Sequence, residues 1–112
     1  GSVEGSDAII VDDMIDTAGT LCKAAQELKK HGARRVFAFA SHGLFSGPAF
    51  ERIKNSCLEE VVTVNTIPLA DGAEDIPQLK QLSVAPLIAE TIQRIHTKKS
   101  ISQLFSDEAK KM

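Results

Sequence analysis

The chain has 112 residues, which is enough for one small domain with a single hydrophobic core. Hydrophobic residues make up 43% of the chain and charged residues 25%, the ordinary balance of a soluble globular protein. A net charge of −2 predicts no broad basic surface for nucleic acid, and no apolar run approaches the roughly 20 residues that cross a bilayer.

The first elements of the chain follow a dipeptide, Gly1-Ser2, that is typical of a tag-cleavage scar. We therefore expect the sequence to be a truncated piece of a longer protein. The continuous apolar run at residues 8–11 predicts a strand buried on both faces. Apolar residues at helical spacing over 21–28 predict a helix, which Gly32 is expected to end.

The middle of the chain repeats this alternation. Residues 36–40 and 61–64 predict two more buried strands, and a helix between them opens at Pro48. The expected inner face of that helix comprises Ala49, Phe50, Ile53 and either Cys57 or Leu58.

The last third is predicted as an exposed loop over 70–78, a poorer strand over 79–84, a helix over 86–96 and a short element over 101–105. Residues 106–112 are predicted as a polar tail. Strands that alternate with helices predict an α/β fold over residues 3–105, with a parallel sheet and helices on both faces.

Two acids, Asp12 and Asp13, end the first predicted strand, where ligands bind in open α/β sheets. Carboxylates repel phosphate, but they accept hydrogen bonds from sugar hydroxyls or hold Mg²⁺. Asp16 is suited either to cap the next helix or to position a water or metal. The acids therefore suit the hydroxylated end of a ligand.

Small residues follow at the start of the next helix: Thr17, Ala18, Gly19 and Thr20. N–H groups at a helix start lack partners within the helix and, with the helix dipole, favour an anion such as phosphate. Gly19 allows close approach of the backbone or positive φ. Ribose 5-phosphate matches both halves of the motif.

Plain loop and N-cap chemistry is an equally open interpretation of these residues. The spacing does not fit the Asp-x-Asp-x-Thr of haloacid dehalogenases, because Met14 stands two positions after Asp12. The sequence has no second clear strand-end Asp, which a receiver domain would need. It also contains no Gly-Lys-Ser/Thr, so it has no Walker A loop.

Residues 11–20 resemble the phosphoribosyl-diphosphate motif of type I phosphoribosyltransferase folds, in the variant typical of ribose-phosphate pyrophosphokinases. Segments 41–49, 64–68 and 100–105 fall in that family's order. The resemblance implies a partial phosphoribosyltransferase-like (Rossmann-like) domain. It implies that Asp12 and Asp13 face the ribose hydroxyls and Mg²⁺, and that residues 16–20 form the 5-phosphate loop.

The same resemblance implies a reaction in which ATP donates its diphosphate to ribose 5-phosphate, giving AMP and phosphoribosyl diphosphate. The family's ATP site and cationic catalytic loop lie before this segment, so we expect no catalytic residues here and no activity from this chain alone. Family members are cytoplasmic homo-oligomers, commonly hexamers. A further allosteric site for phosphate or ADP is implied at Ser100, Ser102 and Phe105, where a solvated terminal turn is the alternative.

Two other functions remain open from the sequence: a non-catalytic regulatory subunit of the same fold, and a salvage phosphoribosyltransferase. The intact acids and small residues of the first loop favour a catalytic parent. Cys22 and Cys57 have no metal-type spacing and predict reduced thiols. His42, at the end of a strand, is predicted to be structural, and Cys22 to be a packing residue whose pKa a helix start can lower.

Overall fold

A computed structural model describes residues 1–105, which fall into two compact units. The first unit is Gly1–Leu82, and the second begins at Ser83. The predicted tail of residues 106–112 lies outside the described residues. The predicted two-residue scar and the predicted domain bounds of 3–105 stay predictions.

The first unit is built on one parallel sheet with strand order β1-β2-β3-β4. The strands are β1 (Asp7–Ile15), β2 (Arg35–Gly43), β3 (Leu58–Val64) and β4 (Leu79–Leu82). The predicted parallel α/β fold is confirmed.

Two helices connect the first three strands, α1 (Gly19–Lys30) and α2 (Ala49–Lys54). A 3₁₀ turn, Ala73–Asp75, precedes β4, and the prediction that 70–78 is an exposed loop is wrong at Ala73 and Ile76, which are buried. The expected end of α1 is confirmed: Gly32 has φ 97°, and its N–H donates to the Lys29 carbonyl at 3.0 Å. Glycine adopts this left-handed conformation at no steric cost.

The prediction that Cys57 or Leu58 belongs to the inner face of α2 is wrong. The helix ends at Lys54, because the Ser56 hydroxyl and N–H both donate to the Ile53 carbonyl and close the last turn. Leu58 is buried as the first residue of β3, while Cys57 is exposed. The fourth strand is also shorter than the predicted 79–84.

Helices α1 and α2 lie on one face of the sheet. A strand order that advances in one direction through right-handed crossovers places successive helices on the same side. On β1, Ile10 packs against the core, whereas Ile9 and Val11 are 67% and 73% exposed, so the prediction that this strand is buried on both faces is wrong. Helix cover on the second face of the sheet stays a prediction.

The core lies between the sheet and these two helices. Its fully buried members come from β2, β3, α1 and α2 and include Val36, Ala40, Val61, Ala25, Ala49 and Ile53. Small alanines on β2 and the helices allow the helices to pack close to the sheet.

The second unit contains α3 (Ala85–His96) and a 3₁₀ turn, Ser102–Phe105. The predicted helix and terminal element are thus both present. Leu87, Ile88, Ile92 and Ile95 form an apolar stripe, but each of them is at least 42% exposed. Within the described residues, no helix has the length and apolar content needed to cross a membrane.

Asp7 joins the start of β1 to the start of β2. Its carboxylate accepts hydrogen bonds from the guanidinium groups of Arg34 and Arg35, at 2.6–3.1 Å. The Arg35 bonds, followed by those of Arg34, hold the pKa of Asp7 far below its ordinary value. The contribution to stability is therefore complete above that ordinary value, near 3.8, and is lost as the pH falls below it.

We expect Asp7→Asn to lower the melting temperature by a few degrees at pH 7, and by progressively less toward pH 2. Thermal unfolding of both proteins across this pH range measures the effect. Asp71→Asn, which removes a charge from an exposed loop, is the matched control and should leave the melting temperature unchanged. Equal losses for both variants at every pH would show that Asp7 acts only through net charge.

Candidate sugar-phosphate site

The first strand extends past its two acids, further than the sequence predicts. Asp12 and Asp13 lie inside β1, which runs on to Ile15, because β2 continues beside it as far as Gly43. Asp12 pairs with Ala40 and Ile15 with Gly43. The expectation that the strand ends at the acids is wrong, but the acids remain near the carboxyl end of the sheet.

The loop after β1 turns sharply at Ala18, which has φ 64° and ψ 9°. Gly19 is already the first residue of α1 and does not have positive φ. The positive φ that the sequence suggested for Gly19 is therefore found one residue earlier, at Ala18, where the Cβ causes steric strain. Ala18 is 5% exposed and belongs to the core cluster, so its packing offsets part of this strain.

One cavity of about 290 Å³ brings most of the predicted site residues together. We call it the acid-lined cavity; the predicted residues in its wall are Asp12, Asp16, Thr17, Ala18, Gly19 and Thr20. Asp13 is not part of the wall. The sheet end and the start of α1 therefore meet around a single space.

Asp12 is held in its charged form. A side-chain hydrogen bond shared with Asp13 and, next, the Asp13 N–H that donates to Asp12 Oδ1 at 2.7 Å lower the pKa of the Asp12 carboxyl. Asp13 thus acts on the neighbouring acid even though it does not line the cavity. A charged carboxylate accepts hydrogen bonds from sugar hydroxyls or bonds to a cation.

A second cavity, of about 700 Å³, lies against the same loop. We call it the basic cavity, because Lys23 of α1 and Arg52 of α2 line it together with Thr17, Gly19 and Thr20. Arg52 Nη1 donates a hydrogen bond to the Thr17 carbonyl at 3.1 Å. Sequence reasoning missed Arg52, whose only signal was its place soon after segment 41–49.

Two weaker candidates have structural roles. His42 Nδ1 lies 2.6 Å from the Thr66 hydroxyl, which donates to the Ser41 carbonyl at 3.3 Å, so the imidazole ties β2 to the segment after β3. Burial raises the pKa of the Cys22 thiol, so the helix start does not activate it. Both observations agree with the structural roles predicted for these residues.

The proposed allosteric residues lie in the second unit. The Ser100 and Ser102 hydroxyls are 2.7 Å apart, and Phe105 is 65% exposed. Arg94 organises this turn: its guanidinium donates to the Ser100 carbonyl and the Gln103 side-chain oxygen, both at 2.9 Å. The two serines are therefore held side by side, while Phe105 stands apart from any core.

We expect Arg94→Met to loosen the serine turn, since one side chain supplies two of its anchoring hydrogen bonds. Amide hydrogen exchange over residues 100–103 should accelerate by roughly tenfold, the effect of losing about 1.4 kcal/mol of local stability. Arg94→Lys keeps the charge near Glu90 but not the forked donors, and should give an intermediate rate. Unchanged exchange in Arg94→Met would show that the turn is held by other contacts.

The sheet, the acid near the end of its first strand and the small-residue loop that opens the next helix define the class: a parallel α/β protein with a polar loop at the carboxyl end of its first strand. The chain belongs to the phosphoribosyl synthetase-associated domain family, whose model matches residues 1–106.

Several similar proteins are ribose-phosphate pyrophosphokinases. The chain is 52% identical over 106 residues to a ribose-phosphate pyrophosphokinase of Shewanella oneidensis, covering 95% of this chain and 34% of that protein. It is 53% identical over 108 residues to the one of Chromobacterium violaceum, covering 96% of this chain and 33% of that protein. The chain thus spans about a third of the length of these relatives.

Among solved structures, the crystal structure of phosphoribosylpyrophosphate synthetase from Mycobacterium smegmatis matches with a TM-score of 0.82 and 41% identity. The match covers 88% of this chain and 33% of that one. The predicted family and fold are confirmed by these findings.

Proposed function

We propose that this chain supplies the ribose 5-phosphate site of a ribose-phosphate diphosphokinase, which converts ATP and ribose 5-phosphate to AMP and phosphoribosyl diphosphate. The observation that carries the proposal is the acid-lined cavity, where charged Asp12 and the start of α1 border one space. A ligand with hydroxyls at one end and phosphate at the other satisfies both walls.

The site residues keep separate roles in this proposal. Asp12 accepts hydrogen bonds from the ribose hydroxyls, and Asp13 supports it through the adjacent N–H. The N–H groups and hydroxyls of residues 17–20 receive the 5-phosphate, with Asp16 bordering the sugar. Phosphoribosyl diphosphate, which has the same sugar and 5-phosphate, occupies the same site.

We propose Mg²⁺ as an ion shared between the acids and the ligand. Among residues 1–105, no cluster of three or more potential metal-ligating side chains occurs. Mg²⁺ commonly binds through one or two carboxylates together with waters and substrate oxygens, which the adjacent Asp12 and Asp13 allow. When bound, the ion would neutralise charge that develops on the transferred diphosphate.

The remaining proposals concern the longer family members. We propose ATP as diphosphate donor, assembly into a cytoplasmic hexamer, and regulation by phosphate or ADP at Ser100, Ser102 and Phe105. The free thiols Cys22 and Cys57 agree with a reducing compartment. For the 112-residue chain alone we expect sugar-phosphate binding without AMP formation, since the donor-site residues that the resemblance implies are not among its own.

Isothermal titration tests the proposal on the 112-residue chain. Ribose 5-phosphate and phosphoribosyl diphosphate should bind, more tightly with Mg²⁺ than without it, while ribose and adenine give no measurable heat. Binding of adenine would instead favour the salvage phosphoribosyltransferase. No binding of either sugar phosphate would overturn the proposal.

A further inference from the structure

The carbonyl groups of residues 15–17, before α1, face the segment that follows β2. Three consecutive carbonyls accept hydrogen bonds from residues 44–52: that of Ile15 from Leu44 and Phe45, that of Asp16 from Ser46, and that of Thr17 from Arg52. In a trans peptide, the C=O and the following N–H point in opposite directions, and the described chain has no cis peptide. The N–H groups of residues 16–18 therefore point away from this segment.

Arg52 is the only side chain among these donors. Its Nη1 lies 3.1 Å from the Thr17 oxygen, and a Cβ added to Gly19 would meet the same Nη1 at 2.9 Å. The guanidinium thus fills the space that any side chain at position 19 requires. A side chain at position 19 would therefore displace the guanidinium from its place beside the Thr17 carbonyl.

The charge of Arg52 is not neutralised by a neighbour. None of the ion pairs among residues 1–105 involves it, and its side chain borders the basic cavity with Lys23. Its positive charge adds to that of the α1 N-terminus, whose dipole favours an anion.

We propose that Arg52 is a positioning residue for the phosphate loop of residues 16–20. Its hydrogen bond keeps the Thr17 carbonyl pointing toward α2, and the loop N–H groups on the opposite side therefore point toward the ligand. This inference rests on the proposed function of the loop as the 5-phosphate site. Arg52 itself acts through Thr17 and Gly19 and need not touch the phosphate.

The first test uses the ligand-free chain, so that it does not depend on the proposed function. In nitrogen-15 NMR spectra, Arg52→Met should shift the amide signals of Thr17, Ala18 and Gly19 and speed their hydrogen exchange. Lys54→Met, which removes a charge from the same helix, should leave them in place. Unchanged loop signals in Arg52→Met would overturn the inference whether or not the chain binds ribose 5-phosphate.

The second test is a double-mutant cycle on ribose 5-phosphate binding, measured by titration. Arg52→Met should weaken binding roughly tenfold, the usual effect of losing one charge-assisted hydrogen bond. Gly19→Ala displaces the guanidinium from the same place, so the double variant should bind no more weakly than Arg52→Met alone. Losses that multiply would show that Gly19 and Arg52 act separately, and this result would overturn the inference.

Wild-type protein that fails to bind ribose 5-phosphate would refute the proposed function, while the shifts of the free loop would still decide the role of Arg52. Arg52→Lys keeps the positive charge but has a single ammonium group in place of the fork. It should restore part of the affinity and leave the loop signals between those of wild type and Arg52→Met. Full recovery of affinity with the loop signals still displaced would assign the effect to charge alone and overturn positioning.

Discussion

Replacing Gly43 with alanine is expected to destabilise the Gly1–Leu82 unit by about 3 kcal/mol, at the upper end of the range for overpacked cores. Gly43 ends β2 and is buried. A Cβ there would overlap the Phe45 ring, come within 2.9 Å of its Cζ, and lie 3.1 Å from Thr63 Cγ2.

The ring cannot retreat easily. Phe45 is 4% exposed, stacks on Phe50 with centroids 5.3 Å apart, and has φ 54°. Its N–H also donates to the Ile15 carbonyl at 3.3 Å, so movement of Phe45 disturbs the loop before α1. The variant should therefore lose ligand affinity together with stability.

Urea unfolding of the 112-residue chain measures this effect. Gly47→Ala is the matched control, because Gly47 has φ 56° but no atom within 4 Å of the added Cβ. It should cost only the backbone strain, about 1 kcal/mol. Equal losses for the two variants would mean that the space around Gly43 adjusts freely.

Replacing Asp12 with asparagine is expected to weaken ribose 5-phosphate binding by roughly 10- to 100-fold, since a hydrogen bond to a charged group contributes about 1.5–3 kcal/mol. Asp12 is charged at neutral pH like any exposed carboxyl, and bonding from Asp13 lowers its pKa, so it stays charged further into the acid range. The amide keeps the shape but loses the charge and one acceptor oxygen. Titration calorimetry at constant ionic strength gives the ratio of dissociation constants.

Lowering the pH should act on the wild type in the same direction as this substitution. Because the pKa of Asp12 is depressed, the part of the affinity that its carboxylate supplies should persist well below neutral pH and be lost once the carboxyl becomes protonated. The ratio of wild-type to Asp12→Asn affinity at each pH isolates this part, because the ligand's phosphate, which titrates at about pH 6, is common to both proteins. Asp71→Asn, in a distant exposed loop, is the control and should leave affinity unchanged. Equal weakening by both substitutions would assign the effect to net charge.

The sequence was sufficient to predict the elements that local patterns define. Apolar spacing over 21–28 placed α1, and Gly32 marked its end, because helix periodicity and a left-handed glycine are local features. The continuous apolar runs placed the first three strands for the same reason, although one face of β1 is exposed at Ile9 and Val11. Their ends were missed, because pairing with a neighbouring strand carries β1 past Asp13 and begins β3 at Leu58.

Part of the site could also be predicted. Acids near a strand end and small residues at a helix start are close in sequence, so the acid-lined cavity follows from the motif. The strained turn at Ala18 could not be predicted, because glycine is the residue that ordinarily takes positive φ. Arg52, 35 positions after Thr17, meets the loop only through the fold.

The most direct test of the central proposal is a titration of the nitrogen-15-labelled chain with ribose 5-phosphate, followed residue by residue. The amides of residues 17–20 and of Asp12 should shift together, with one dissociation constant. Inorganic phosphate should shift only the amides of residues 17–20, and ribose should shift neither set. Saturation with ribose 5-phosphate that leaves these amides unmoved, or moves a different surface, would contradict the assignment of residues 12–20 as the sugar-phosphate site.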